Sequence, residues 1–325
     1  MRTRYRFRVL AAVLVSFALP STALPQGFPA RTVRLVVPFA AGGTIDIIGR
    51  LLAPLLGKAL GHQVIVDDRP GGGTVVGTNL VAAAPADGHT ILLMGPSFTI
   101  NLYARDRLPY DTVKDFTGIA RLASNPLLIS VHPSLPVRSV KELVALARAR
   151  PGELTYGTAS PTGFQRLAAE KFRSMANIDL LNVPYSGGGP AAVAVMGGHT
   201  SILVGNVSEA APFVAQGRLR PIAVTSLERS AVMKDVPTLD ESGYSGYEAI
   251  NWFGAVTRSG APRTAIDRMS AEFARALDTP EVRDGLAHLS LNNTYLSTER
   301  YSAYLREQMQ SNEKIVRAAK IRMDN

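Results

Sequence analysis

Val33-Arg34-Leu35-Val36-Val37-Pro38-Phe39-Ala40-Ala41-Gly42-Gly43-Thr44-Ile45-Asp46 is the stretch that decides the fold. The first five residues are β-branched or apolar apart from Arg34, the composition of a buried strand. A proline ends the run, small residues follow, and an amphipathic pattern opens at about Thr44. The segment therefore predicts a strand, a tight turn and a helix N-terminus. Glycines at 42 and 43 let a ligand approach the backbone closely. The first amides of a helix have no intrahelical partner, and the helix dipole favours an anion beside them. The turn holds no His, Cys, Lys or Arg, so a carboxylate or phosphate bound here would be gripped by main chain. An ordinary strand-to-helix connection also fits, because short glycine turns commonly join such elements.

The same grammar continues along the chain. Apolar strands are predicted at 33–37, 64–66, 90–94, 127–131, 201–204 and 221–225, with helices at 45–60, 75–84, 140–148, 165–175, 190–196, 264–277 and 297–319. Short strands alternating with helices of this length imply βαβ units and mostly parallel sheets. Segments 119–130 and 246–256 are extended and apolar without helix signals, as expected of strands that cross a hinge. A chain of this length fits two lobes better than one core. The division expected is 27–122 with 248–325 as lobe 1, and 123–247 as lobe 2. A second turn, Leu154-Thr155-Tyr156-Gly157-Thr158-Ala159-Ser160-Pro161-Thr162-Gly163, echoes the first before the helix at 165–175. Two such turns, one per lobe, would aim two helix N-termini into one cleft and clamp a small anion.

Export is written at the start. Arg2, Arg4, Arg6 and Arg8 precede an apolar run at 9–19 and then Ser21-Thr22-Ala23, the pattern of a secretory signal peptide. That run is too short to span a bilayer, which needs about 20 residues. Cleavage is expected after Ala23, with the bonds up to Gln26 nearly as suitable, so 1–26 is assigned to the signal peptide and the mature protein to an exported, soluble form. Loss of the four arginines lowers the formal charge from +9 to +5. The remaining basic residues are scattered, unlike the clustered footprint of a nucleic-acid binder. The absence of cysteine excludes disulfides, thiolate metal sites and cysteine catalysis.

Enzyme signatures are missing. There is no Gly-x-Ser-x-Gly elbow, the glycine run at 71–73 lacks dinucleotide spacing, and 73–78 lacks the lysine of a phosphate-binding loop. His62, His89, His132, His199 and His288 stand apart from one another without ligand spacing. Neither metal nor cofactor is expected. An exported hydrolase built from scattered residues remains the lesser alternative.

At this point the residues carry a resemblance. VRLVVPFAAGGTID at 33–46 resembles the "IRLVVPFAPGGxxD" wording of the substrate-binding proteins of tripartite tricarboxylate transporters, the Bug family. Asp68-Arg69-Pro70-Gly71-Gly72-Gly73 resembles that family's N-R-P-G-A-G turn, and Asp87-Gly88-His89-Thr90-Ile91-Leu92 its D-G-Y-T-L-L strand entry. Leu108-Pro109-Tyr110-Asp111, Lys114-Asp115-Phe116, Val183-Pro184-Tyr185, Asp235-Val236-Pro237-Thr238 and Trp252-Phe253-Gly254 follow in family order. The resemblance covers essentially the whole mature chain. It implies a two-lobed α/β periplasmic binding protein of the Venus-flytrap type, its βα lobes joined by crossing hinge strands. Such a protein closes on a small organic carboxylate and delivers it to membrane permease subunits, as a monomer and without chemistry. A periplasmic sensor adaptor for a two-component system would need the same cleft.

The family's two binding loops map onto 39–46 and 156–166. The candidate ligand-binding residues are thus Phe39, Ala40, Ala41, Gly42, Gly43, Thr44 and Asp46 in the first, and Thr158, Ala159, Ser160, Thr162, Gly163 and Arg166 in the second. Ser97 and Asn206 join them, since both follow strand ends where open α/β sheets place ligands; either also suits a plain turn. Asp46 sits where an acid commonly caps amides, or where it would touch the ligand. Arg166 is either a helix-surface residue or a planar fork for a second acidic group on the ligand. Trp252 is expected in the core. The chain departs from the family wording in the second loop, where Ser160 and Thr162 replace glycines and Arg166 replaces a histidine. It departs again at Pro190-Ala191-Ala192-Val193-Ala194, which lacks the family's aspartate. These changes fall where ligand choice is made, so the resemblance implies a class of protein and not one ligand. N-terminal sequencing of the exported protein should begin between residues 24 and 27; an exported chain that keeps Met1 contradicts the signal-peptide assignment.

Overall fold

Strand β1 (Val33–Val37) lies between β2 (Val64–Asp68) and β3 (Thr90–Met94) and runs parallel to both in the computed structural model. The structure describes residues 27–39, 41–159, 163–185 and 187–322; the predicted signal peptide lies outside them. Val33, Leu35 and Val37 bury on one face of the sheet and Val36 on the other, and β3 alternates likewise. Burial on both faces is why these strands read as continuous apolar runs. Helix α1 (Thr44–Leu60) covers one face and ends at Gly61, whose φ of 70° is the left-handed conformation glycine tolerates. A 3₁₀ turn at Gly72–Thr74 leads into α2 (Val75–Ala82), and α3 (Ser97–Ala104) follows β3.

The hinge is built by two long strands. β4 (Phe116–Val131) and the later strand Ile250–Arg258 pair antiparallel from Phe116 opposite Arg258 to Pro126 opposite Ile250. From Leu127 onward β4 pairs instead with the second lobe, so one strand belongs to both sheets. Register shifts between Gly118 and Ala120, and between Arg121 and Ala123, mark β-bulges, which bend a strand and increase its twist.

The second lobe repeats the plan. Helix α4 (Val140–Ala149) precedes β5 (Thr155–Thr158) and α5 (Phe164–Ala176); then come β6 (Leu181–Pro184), α6 (Gly188–Met196), β7 (Ile202–Asn206), α7 (Val207–Ala215) and β8 (Arg220–Val224). β5 runs parallel to β6 and β7, whereas β7 and β8 meet β4 antiparallel. The chain then returns through the hinge strand, now β9, to α8 (Arg263–Leu277), α9 (Pro280–His288), β10 (Asn292–Leu296) and α10 (Thr298–Ala318). The sheet order is β2-β1-β3-β9-β4-β7-β5-β6, with β8 and β10 paired to β4 off that path.

Helix α10 straps the halves together. Tyr301, Leu305 and Met309 pack with β3 and β9 residues, while Val316 joins the core beneath β5 and α5. Trp252 on β9 is fully buried and meets Tyr301 edge-on, ring centroids 6.0 Å apart, the core position expected of it. Among the described residues no helix is long and apolar enough to cross a membrane. Trp252→Ala should destabilise the protein by about 3–5 kcal/mol, as deletion of a buried aromatic does. Urea unfolding checks this; a loss below about 1 kcal/mol would show that the β9–α10 seam is not part of the core.

Candidate functional site

Each of five parallel strands delivers its chain to a helix at the same edge of its sheet. β1 leads to α1, β3 to α3, β5 to α5, β6 to α6 and β7 to α7. The resulting N-termini line one interlobe cavity of about 410 Å³. Gly43, Thr44 and Ile45 contribute from α1; Gly95, Pro96 and Ser97 from the α3 entry; Ala159, Gly163, Phe164 and Gln165 from the second turn; Gly187 and Gly188 from α6; Asn206 and Glu209 from α7. Phe39 closes the first turn, and Asn251 and Phe253 of the hinge strand form the floor. The volume suits a small molecule. Helices α1, α3, α5 and α6 have no side-chain hydrogen bond at their N-caps, so the first amides of α1, α5 and α6 are left for solvent or a ligand, whereas in α3 the Phe98 and Thr99 amides bond the Gly95 and Pro96 carbonyls and the Ser97 amide is the one left.

Gly42 takes φ of 83°, a conformation that glycine adopts without steric cost. Its amide donates to Asp46 Oδ2 at 2.7 Å. Asp46 Oδ1 meets Arg50 Nε at 2.6 Å, and Arg50 also bonds Asp68 at 2.7 Å. Asp46 is only 2% exposed and is not among the described cleft-lining residues. Its carboxylate therefore clamps the turn from beneath. Burial raises the Asp46 pKa, but the bonds from Arg50 and the Gly42 amide outweigh it and hold the carboxyl below its ordinary value. Burial and the Asp46 charge push Asp68 the other way.

The second turn presents some of its residues to the cleft and buries others. Ala159 and Gly163 line the cleft, whereas Thr158 is fully buried, its hydroxyl accepting from Asn182 at 3.0 Å and its carbonyl from the Tyr185 amide. Ala40, Ser160 and Thr162 lie outside the described residues. Arg166 is half-buried and is not among the described lining residues, where Phe164 and Gln165 stand instead. It lies beside the Tyr156–Glu170 pair, whose hydroxyl–carboxylate bond is 2.6 Å. Burial and Glu170 raise the Tyr156 pKa, and the Arg166 charge opposes the rise.

Asn206, the N-cap of α7, ties the cleft to the hinge. Its side-chain oxygen accepts from Asn125 of β4 at 3.1 Å and from Asn251 of β9 at 3.2 Å. Its Nδ2 donates to Glu209 Oε1 at 3.0 Å, while its backbone amide donates to Glu209 Oε2 at 3.1 Å. Gln165, Gly188, Asn251 and Glu209 were all missed by sequence reasoning. Asn206-x-x-Glu209 has capping-box spacing, a signal present in the chain. Pro212 inside α7 obscured it.

A second cavity, about 420 Å³, lies on β4 and β9 between α5 and α10, with Arg121, Lys171, Glu228, Arg229 and Glu248 in its lining. Charges of both signs crowd it and no helix N-termini converge there, so the interlobe cleft is the better anion site. Among the described residues no group of three His, Asp or Glu could hold a metal ion.

Two α/β halves joined by crossing strands around such a cleft define a two-lobed binding protein. The chain belongs to the tripartite tricarboxylate transporter receptor family, whose model, described as "Tripartite tricarboxylate transporter family receptor", matches residues 48–321. This is a family of solute-binding proteins and not of enzymes. The chain is 33% identical over 289 residues, 88% of its length and 86% of the relative's, to the UPF0065 protein in the tcbD-tcbE intergenic region of Pseudomonas sp. strain P51. It superposes with a TM-score of 0.80 at 31% identity on R. palustris Rpa4515 with adipate, covering 90% of this chain and 98% of that one. MatC from Rhodopseudomonas palustris with bound malate gives 0.76 at 28% identity, covering 89% and 100%.

Asp46→Asn should remove the clamp on the first turn and destabilise the protein by about 1–3 kcal/mol, the cost of leaving buried partners unpaired. The Arg50 share is the smaller, since that side chain is 54% exposed and screened. Because the Asp46 pKa is depressed on folding, its contribution is present above the unfolded pKa of about 3.9 and is lost as pH falls through the lower folded value. Asp68 acts in the opposite sense. Urea midpoints measured from pH 7 to pH 3 should fall less steeply in the variant; identical slopes would contradict the clamp.

Proposed function

We propose that this protein captures a small organic carboxylate in the interlobe cleft, in the periplasm, and delivers it to the permease subunits of a tripartite tricarboxylate-type transporter. Residues 27–122 with 248–325 form one lobe and 123–247 the other, after removal of the signal peptide at 1–26, and the protein works as a monomer. The observation that carries this reading is the convergence of five helix N-termini on one cavity, four of them without a side-chain cap. Each N-terminus carries roughly half a positive charge; Glu209 offsets those of α6 and α7, and those of α1, α3 and α5 favour an anion over a cation or a neutral sugar. The adipate named with one relative and the malate named with another agree with that electrostatic preference. Membership of a transporter-receptor family supports delivery to a permease.

Binding follows from geometry. Lobe 1 offers the first amides of α1 and the Ser97 amide of α3, lobe 2 those of α5, and a carboxylate between them accepts from both. Ligand and closure are then coupled, because only the closed cleft brings both sets of amides to one anion. Calorimetry on the mature protein should show small organic acids binding and their primary amides binding at least about tenfold more weakly, since hydrogen bonds to a charged group are worth about 1.5–3 kcal/mol each. Equal affinity for an acid and its amide would overturn the reading.

A further inference from the structure

We infer that the cleft selects a monocarboxylate that also carries a hydrogen-bond donor, an ammonium group above all, and rejects a second carboxylate, and that Glu209 makes this choice. The inference rests on the carboxylate reading above and adds the chemistry of the ligand's other end.

Glu209 is the one ionisable side chain among the described residues lining the cleft. Its carboxylate is fixed from several sides. Asn206 holds both oxygens, one through its amide and one through its side chain, at 3.1 and 3.0 Å. Gly188, the first residue of α6, lies so close that a methyl group there would overlap the carboxylate, and a methyl on Gly205 would stand 3.4 Å from Oε2. An ionised carboxylate has about four acceptor sites, and Asn206 occupies two. Among the described residues no other donor bonds it, which leaves the others for a donor in the cavity.

The charge also divides the cleft. At the corner of α6 and α7 the carboxylate offsets the positive ends of those helices, whereas the one acid in the first turns of α1, α3 and α5, Asp46, lies buried beneath its turn and is paired with Arg50. The lining is therefore anion-seeking at one end and donor-seeking at the other. A dicarboxylate would place its second charge against a fixed like charge in a site of low dielectric, where such repulsion is strong. Adipate and malate are both dicarboxylates, so the inference sets this chain apart from the relatives named with them.

Capping alone also explains a glutamate three residues after an N-cap; a glutamine there keeps the capping bond to the Asn206 amide and gives up the second bond, to Asn206 Nδ2. Glu209→Gln separates the two. The probes are two matched sets offered to the full mature chain: butyrate, 4-hydroxybutyrate, 4-aminobutyrate and succinate; and benzoate, 4-(aminomethyl)benzoate and terephthalate. In wild type the amino or hydroxy member should bind tightest in any set that binds, and the diacid weakest. In Glu209→Gln the ratio of amino-acid to diacid affinity should fall by on the order of tenfold or more, while the melting temperature without ligand stays within a few degrees. If that variant does not fold, Glu209→Ala is read for the same ratio. A wild type that prefers the diacid, or a ratio unchanged by the substitution, overturns the inference and leaves the carboxylate reading standing. Failure of every acid in both sets to bind overturns both.

Discussion

A parallel strand cannot turn straight back; it must hand the chain to a crossover, and in a βα unit the helix begins at the strand's C-terminal edge. Everything distinctive here depends on that constraint. β1 and β3 in one lobe, and β5, β6 and β7 in the other, each deliver a helix N-terminus to the same edge of their sheet. The sharing of β4 between both sheets, with β9 beside it, then turns the two edges toward each other. The positive ends of five helices are collected by topology before any side chain is chosen.

Side chains near the cleft mostly serve to hold that arrangement. Asp46 ties the first turn to its own helix, and Asn206 joins both hinge strands to the start of α7. Buried polar groups of this kind are hydrogen-bonded to one another because leaving them unpaired is costly. Main chain at the helix starts is left to line the cleft, with few polar side chains beside it. A receptor of this design changes ligand by altering one or two positions while its fold stays as it is. Glu209 is such a position, where a cap and a recognition group occupy the same residue.

Much of this was legible in the chain. The first strand and turn, the alternation of strands and helices, and the crossing segments at 119–130 and 246–256 all correspond to observed elements, because buried parallel strands and amphipathic helices leave strong periodic signals. Other elements were silent for identifiable reasons. α3 is buried on several sides and has no apolar stripe, and β10, Asn292–Leu296, is a polar edge strand. α7 carries an internal proline. Within the site, sequence located both turns but weighed Arg166 by charge and spacing alone. Direction around a helix, which spacing does not give, puts Gln165 in the cleft lining, while the Arg166 charge bears on Tyr156. Glu209 lies far from either turn in sequence and reaches the cavity because β7 delivers the first turn of α7 to the same sheet edge.

The central claim is that helix N-termini from both lobes grip one anion. Amide-resolved NMR of the mature protein, titrated with a carboxylate it binds, addresses this most directly. The account predicts that the amides of Thr44 and Ile45 and those of Phe164 and Gln165 shift together, with one shared affinity. Shifts confined to one lobe, or centred on the cavity around Lys171 and Tyr304, would contradict it.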